Sequence, residues 1–119
     1  MSSIQKIILE VRAGTGGDEA TIFAGDLVRM YQRYAAKKGW IFSAVDSNQT
    51  SLSGYKTFIG KIAGENAYDS LRQESGVHRI QRVPTTEKSG RIHTSTATVA
   101  VMPEIEPKEL VINPNDIGV

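Results

Sequence analysis

A strand that runs into a glycine-rich turn and then straight into a long helix leaves few folds open, and this sequence begins that way. From Ile4 to Arg12 the chain alternates, with Ile7, Leu9 and Val11 on one face and Lys6, Ile8, Glu10 and Arg12 on the other. That is the period of a half-buried strand. Gly14-Thr15-Gly16-Gly17 breaks it, and Asp18 and Glu19 open a segment in which Phe23, Leu27, Tyr31 and Tyr34 recur at helical spacing. Acidic residues at the start, Arg33, Lys37 and Lys38 near the end, and Gly39 just beyond agree with the helix dipole and a glycine stop.

The remainder is rich in strand signals. Trp40 to Val45 carries aromatic and branched residues, and a short second run from Lys56 to Ile62 follows the Ser53-Gly54 break, so the two suit a long-looped hairpin. Asn66 to Glu74, with Tyr68 and Leu71 three apart, predicts two helical turns stopped by Ser75-Gly76. Val77 to Val83 alternates until Pro84, which cannot donate to a ladder. Arg91 to Met102 is the longest β-type run, dense in Thr and Val, and with its partner frames an exposed loop from Pro84 to Gly90. The expected class is α+β: a mixed, largely antiparallel sheet with one long and one short helix. No repeat or linker divides the chain, so residues 1–119 read as one domain with its core in 4–103. Residues 104–119 read as an acidic connector or tail, where Glu104, Glu106, Glu109 and Asp116 outnumber Lys108.

Composition removes several function classes. A length of 119 residues suits about one domain with its own core. No apolar run approaches the ~20 residues of a membrane helix, Met1 to Lys6 has no signal-peptide character, and there are no cysteines for disulfides or thiolate metal sites. A cytoplasmic protein without membrane contact is expected. Formal charge is only +1, but Arg72, Arg79, Arg82, Lys88 and Arg91 gather in one stretch against only Glu74 and Glu87.

The glycine turn invites a phosphate-loop reading, yet Asp18 and Glu19 would repel an anion and the Lys-Ser/Thr of a P-loop is missing. A plain strand-to-helix turn is one alternative. A helix tip whose backbone donors and carboxylates bind the edge of an unstacked base is another. His78 and His93 lie on separate expected strands with no third ligand in view, so no metal or other cofactor is expected. His93 either caps a polar strand face or offers a ring on which a base stacks. Gln81, Thr85, Thr86, His93 and Thr94 cluster about one loop flanked by Arg79, Arg82 and Arg91. Amide, hydroxyl and imidazole groups read base edges, and arginines hold phosphates.

Three segments carry a resemblance: Arg12-Ala13-Gly14-Thr15-Gly16-Gly17-Asp18-Glu19-Ala20, the run from Ser75 through His78-Arg79-Ile80-Gln81-Arg82-Val83-Pro84-Thr85-Thr86-Glu87, and Gly90-Arg91-Ile92-His93-Thr94-Ser95. From about Ile8 to Ile117 the sequence resembles the codon-recognition domain of bacterial-type class I peptide chain release factors. The resemblance implies translation termination, with the small-subunit decoding centre, ribosomal RNA and an mRNA stop codon as partners. A Pro-x-Thr tripeptide, here Pro84-Thr85-Thr86, marks the branch that reads UAA and UAG. By the same carry-over, Gly16 and Glu19 face the first uridine and Thr86 contacts the first two bases. His93 stacks on the second base and splits it from the third, which Gln81 and Thr94 read. Arg79, Arg82 and Arg91 are further candidates for phosphate contact.

The family's catalytic domain carries a Gly-Gly-Gln tripeptide, and none occurs in these 119 residues. The expectation is therefore recognition without enzymatic activity, with a separate Gly-Gly-Gln protein as a possible partner. The alternative is a protein-binding or regulatory module that has kept the fold and ceased to decode.

Overall fold

The computed structural model describes residues 4–50, 54–83 and 89–104. Five strands, β1 (Ile4–Ala13), β2 (Ile41–Gln49), β3 (Tyr55–Glu65), β4 (Gly76–Arg82) and β5 (His93–Pro103), form one sheet in the order β2-β3-β1-β5-β4. The long helix α1 (Gly17–Lys38) joins β1 to β2, and α2 (Ala67–Leu71) with a 3-10 turn (Arg72–Glu74) joins β3 to β4.

The α+β class expected from the sequence is what the chain adopts, and all four strand pairings are antiparallel rather than mixed. The reason lies in the connection through α1. It returns the chain as β2 in the same direction as β1, but β3 occupies the place between them, so each parallel relation is replaced by two antiparallel ladders. This is a split βαβ arrangement.

Alternation decides which side of the sheet meets α1. Ile7, Leu9 and Val11 of β1 are fully buried, and Phe58, Ile62, Ala97, Val99 and Val101 from β3 and β5 join them. Phe23, Leu27 and Tyr31, the residues whose spacing predicted α1, are buried against this layer together with Ala20, Ala24, Val28 and Ala35. Burying such side chains contributes about 1.5–3 kcal/mol each for the larger ones, and Ala67 and Leu71 of α2 complete the same buried layer. The opposite face carries Lys6, Ile8, Glu10 and Arg12 and has no helix across it among the described residues.

Trp40 departs from its expected place in β2. Its N–H donates to the Ala35 carbonyl at 2.9 Å, and the indole is buried edge-on to Tyr34 at 5.5 Å, so it closes the helix before the strand begins. Gly39 makes the reversal with φ 76°, in the left-handed region where glycine avoids a Cβ clash. β2 also runs past its predicted end to Gln49, with a register shift between Ala44 and Asp46 that twists this edge strand.

The short helix is held by a residue far from it in sequence. Gln5 Oε1 accepts the N–H groups of Tyr68 at 2.8 Å and Asp69 at 3.2 Å, satisfying two donors that a helix start leaves without intrahelical partners. Tyr31 Oη donates to Glu74 Oε1 at 2.9 Å and ties α1 to the turn before β4. Burial, then the hydrogen bond to Glu74 and its charge, push the Tyr31 phenol well above its usual pKa. Beyond β5, the Glu104 N–H donates to the Lys6 carbonyl and its carboxylate pairs with Lys61 at 2.8 Å, so the sheet holds the first residue assigned to the tail.

Candidate nucleic-acid interface

The glycine turn is fastened to β5. The β1–β5 ladder ends at Ala13↔Ala97, but the chain stays alongside: Gly14 N–H donates to the Thr96 carbonyl at 2.8 Å, Thr96 N–H to the Thr15 carbonyl at 2.9 Å, and Thr15 N–H to Thr96 Oγ1 at 2.8 Å. Gly16 then turns with φ 126°, a conformation an L side chain rarely adopts, and a Cβ there would stand 2.9 Å from Ser95 Oγ. Ser95 is buried beneath it. Two separate constraints, backbone angle and close approach, thus select glycine at the position that starts α1.

This clamp unites two parts of the sequence some eighty residues apart. Asp18 and Glu19 occupy the first turn of α1, and immediately beyond Ser95 on β5 stand His93 and Thr94, both exposed. In the hairpin of β4 and β5, Arg82 pairs with His93 and Gln81 with Thr94. The buried residues Ser95, Ala97, Val99 and Val101 mark the side of β5 that faces α1, so His93 and Arg82 belong to the helix side. Gln81 and Thr94 belong to the open side, where Gln81 Nε2 donates to Thr94 Oγ1 at 3.3 Å. The strand end therefore presents an imidazole with the helix tip on one face and an amide–hydroxyl pair on the other.

Arg82 is engaged from α1. Its Nη1 donates to Asp26 Oδ2 at 3.2 Å, while Asp26 Oδ1 accepts from Arg29 Nη2 at 2.7 Å. Asp26 was invisible to sequence reasoning because no local pattern joins a helix residue to a strand 56 positions later. Ser95 and Thr96 were likewise missed, although their position two and three residues past His93, opposite a glycine turn, is the kind of small polar site a close backbone approach requires. Arg79 is exposed on the open side, in register with Thr96, and Arg91 is exposed just before β5. Pro84, Thr85 and Thr86 lie outside the described residues.

His78 is accounted for structurally: its Nε2 donates to the Glu74 carbonyl at 2.7 Å. It lies four residues along β4 from the Arg82–His93 pair. Among the described residues no group of three or more His, Cys, Asp or Glu could hold a metal ion, and no helix is long and apolar enough to cross a membrane.

Comparison with known proteins bears on the family and the fold. The PCRF domain matches residues 2–99. Peptide chain release factor 1 of Hydrogenobaculum sp. (strain Y04AAS1) and its counterpart in Aquifex aeolicus are each 58% identical over 115 residues, covering 97% of this chain and 32% of the relative. The chain thus spans about a third of the length of these curated relatives. Among solved structures, RF2 of Thermus thermophilus superposes with a TM-score of 0.85 at 38% identity, covering 93% of this chain and 32% of that one. With a profile match over most of its length, close sequence relatives and the same fold in a solved structure, the chain belongs to the PCRF domain family of peptide chain release factors.

Proposed function

We propose that this chain reads stop codons in the decoding centre of the small ribosomal subunit, serving translation termination, and that it selects UAA and UAG. The observation that carries this reading is the division of the polar groups at the end of the β4–β5 hairpin. His93, beside the clamped helix tip, and the Gln81–Thr94 pair occupy opposite faces of one strand end. A protein that reads RNA must splay bases apart and offer each a separate set of edge and stacking contacts. On this reading Gly16 and Glu19 meet the first base and His93 stacks on the second. Gln81 and Thr94, across the strand, hydrogen-bond a third base that has been separated from the other two.

The choice between stop codons rests on Pro84-Thr85-Thr86, which carries the Pro-x-Thr form of the branch that reads UAA and UAG. Recognition is the role assigned to these residues. Peptidyl-tRNA hydrolysis is assigned to none of them, and Gly-Gly-Gln does not occur in the 119 residues.

The test is equilibrium binding of the chain, at fixed salt, to ribosomes carrying UAA, UAG, UGA or a sense codon in the A site. Preference for UAA and UAG over both others is the expected result. Equal binding to all four, or none, overturns the reading.

A further inference from the structure

The open side of the sheet does not end in chemistry at the Gln81–Thr94 pair. Behind it the same face continues with Arg79 opposite Thr96, then Thr98 flanked by Val77 on β4 and Arg12 on β1. Thr94, Thr96 and Thr98 lie along one strand, so their side-chain positions on this face recur every ~6.8 Å. That interval is comparable to the phosphate step of an extended single strand. Arg79 is exposed and has no hydrogen-bond or ion-pair partner among the described residues, whereas Arg12 is partly compensated by Glu10 at 2.8 Å. Among the described residues of β1, β4 and β5, this end of the face has no carboxylate beyond Glu10.

We propose that Arg79 and the Thr94–Thr96–Thr98 row form a ledge that binds the sugar-phosphate backbone of single-stranded RNA where it leaves the base held by Gln81 and Thr94. The proposal rests on the reading of that pair as a base-binding site and adds to it a sequence-independent grip. Two properties select RNA backbone as the occupant. The face is continuous with the base-reading pair, and it combines a guanidinium that has no partner among the described residues with hydroxyl donors, the groups that position a nucleic acid without reading it. An acidic protein segment would satisfy the cation, but nothing in it requires three hydroxyl protons in a row, which Thr94 and Thr96 keep free to donate while their oxygens accept from Gln81 and Thr15.

The experiment is an NMR titration of the 119-residue chain with hexauridylate, and separately with inorganic phosphate at equal phosphate concentration. Hexauridylate should produce saturable shifts at the Arg79 side-chain Nε–H and the Thr94, Thr96 and Thr98 amides, well beyond those produced by phosphate. Arg79→Gln should weaken that binding about tenfold and lower its log–log salt slope by about one. Arg79→Lys should recover part of the affinity. No saturable shift up to millimolar hexauridylate, shifts confined to the helix tip, or an unchanged slope in Arg79→Gln would each overturn the ledge. Codon preference on programmed ribosomes is a separate readout. A chain with the hexauridylate shifts and no stop-codon preference refutes the codon reading and leaves the ledge standing, and the converse result refutes only the ledge.

Discussion

Replacing Gly16 by alanine tests whether the clamp between the helix tip and β5 is a built constraint. The backbone there has φ 126°, and holding an L residue in such a region costs about 1–3 kcal/mol. The added Cβ would also meet Ser95 Oγ at 2.9 Å, its Cα at 3.2 Å and its Cβ at 3.3 Å. Overpacking of this kind costs about 1–3 kcal/mol when neighbours are fixed. Ser95 is fixed, since it is buried, paired with Ile80 of β4, and followed by Thr96, which the glycine turn holds by two backbone hydrogen bonds. Partial relaxation leaves an expected loss of about 3 kcal/mol.

Gly17 is the control. It too has positive φ, 58°, but a Cβ there would meet no atom within 4 Å. Gly17→Ala should therefore cost only the left-handed penalty of about 1–2 kcal/mol, less the few tenths recovered from a stiffer unfolded chain. Urea unfolding of the two variants, with and without Ser95→Ala, separates backbone strain from contact. Ser95→Ala should recover about 1 kcal/mol in the Gly16→Ala background and nothing in that of Gly17→Ala. Equal losses for the two glycine variants, or a loss below about 1 kcal/mol for Gly16→Ala, would refute the argument that contact with β5 selects glycine.

Other perturbations address the site and its scaffold. His93→Ala should remove a stacking surface worth about 1–3 kcal/mol, reducing stop-codon preference on programmed ribosomes; unchanged discrimination would remove His93 from the reading set. Gln5→Ala should cost about 1 kcal/mol and speed hydrogen exchange at the Tyr68 and Asp69 amides, and unaltered exchange there would contradict its capping role. Tyr31→Phe gives a pH signature. Because the folded phenol titrates above the unfolded one, its contribution is complete below about pH 10 and is lost as the pH rises further. The variant should be less stable near neutrality by about 1 kcal/mol. That gap should close by about 1.4 kcal/mol per pH unit above pH 10, and a gap independent of pH would show that the phenol is not held neutral.

Much of the scaffold was legible because it depends on short-range periodicity. The alternation of Ile7, Leu9 and Val11 and the spacing of Phe23, Leu27 and Tyr31 each state which side must be buried, and those sides meet in the core. Trp40 misled because an aromatic before a β-type run scores as strand, whereas its place is decided by Tyr34 and Ala35, one turn back. Gln5 and Asp26 were silent for a different reason: each acts on an element more than fifty residues away, and nothing local encodes such a partner. Of the site, the residue types were readable and their distribution over two faces was not. That distribution follows from the Gln81↔Thr94 and Arg82↔His93 register, which only the assembled hairpin defines.

The position of β1 in the sheet also has a consequence for biosynthesis. β1, which precedes the other four strands of the sheet in sequence, is central, flanked by β3 on one side and β5 on the other. As the chain leaves the ribosome, β1, α1, β2 and β3 can associate once Glu65 has emerged, since their pairings involve nothing later. The second edge of β1 then waits for β5, His93–Pro103. Closure over so large a sequence separation is slow relative to local steps, and an unpaired edge invites strands from other chains. The polar surface at the hairpin end is thus completed only when β5 docks, in the same step that seals the vulnerable edge.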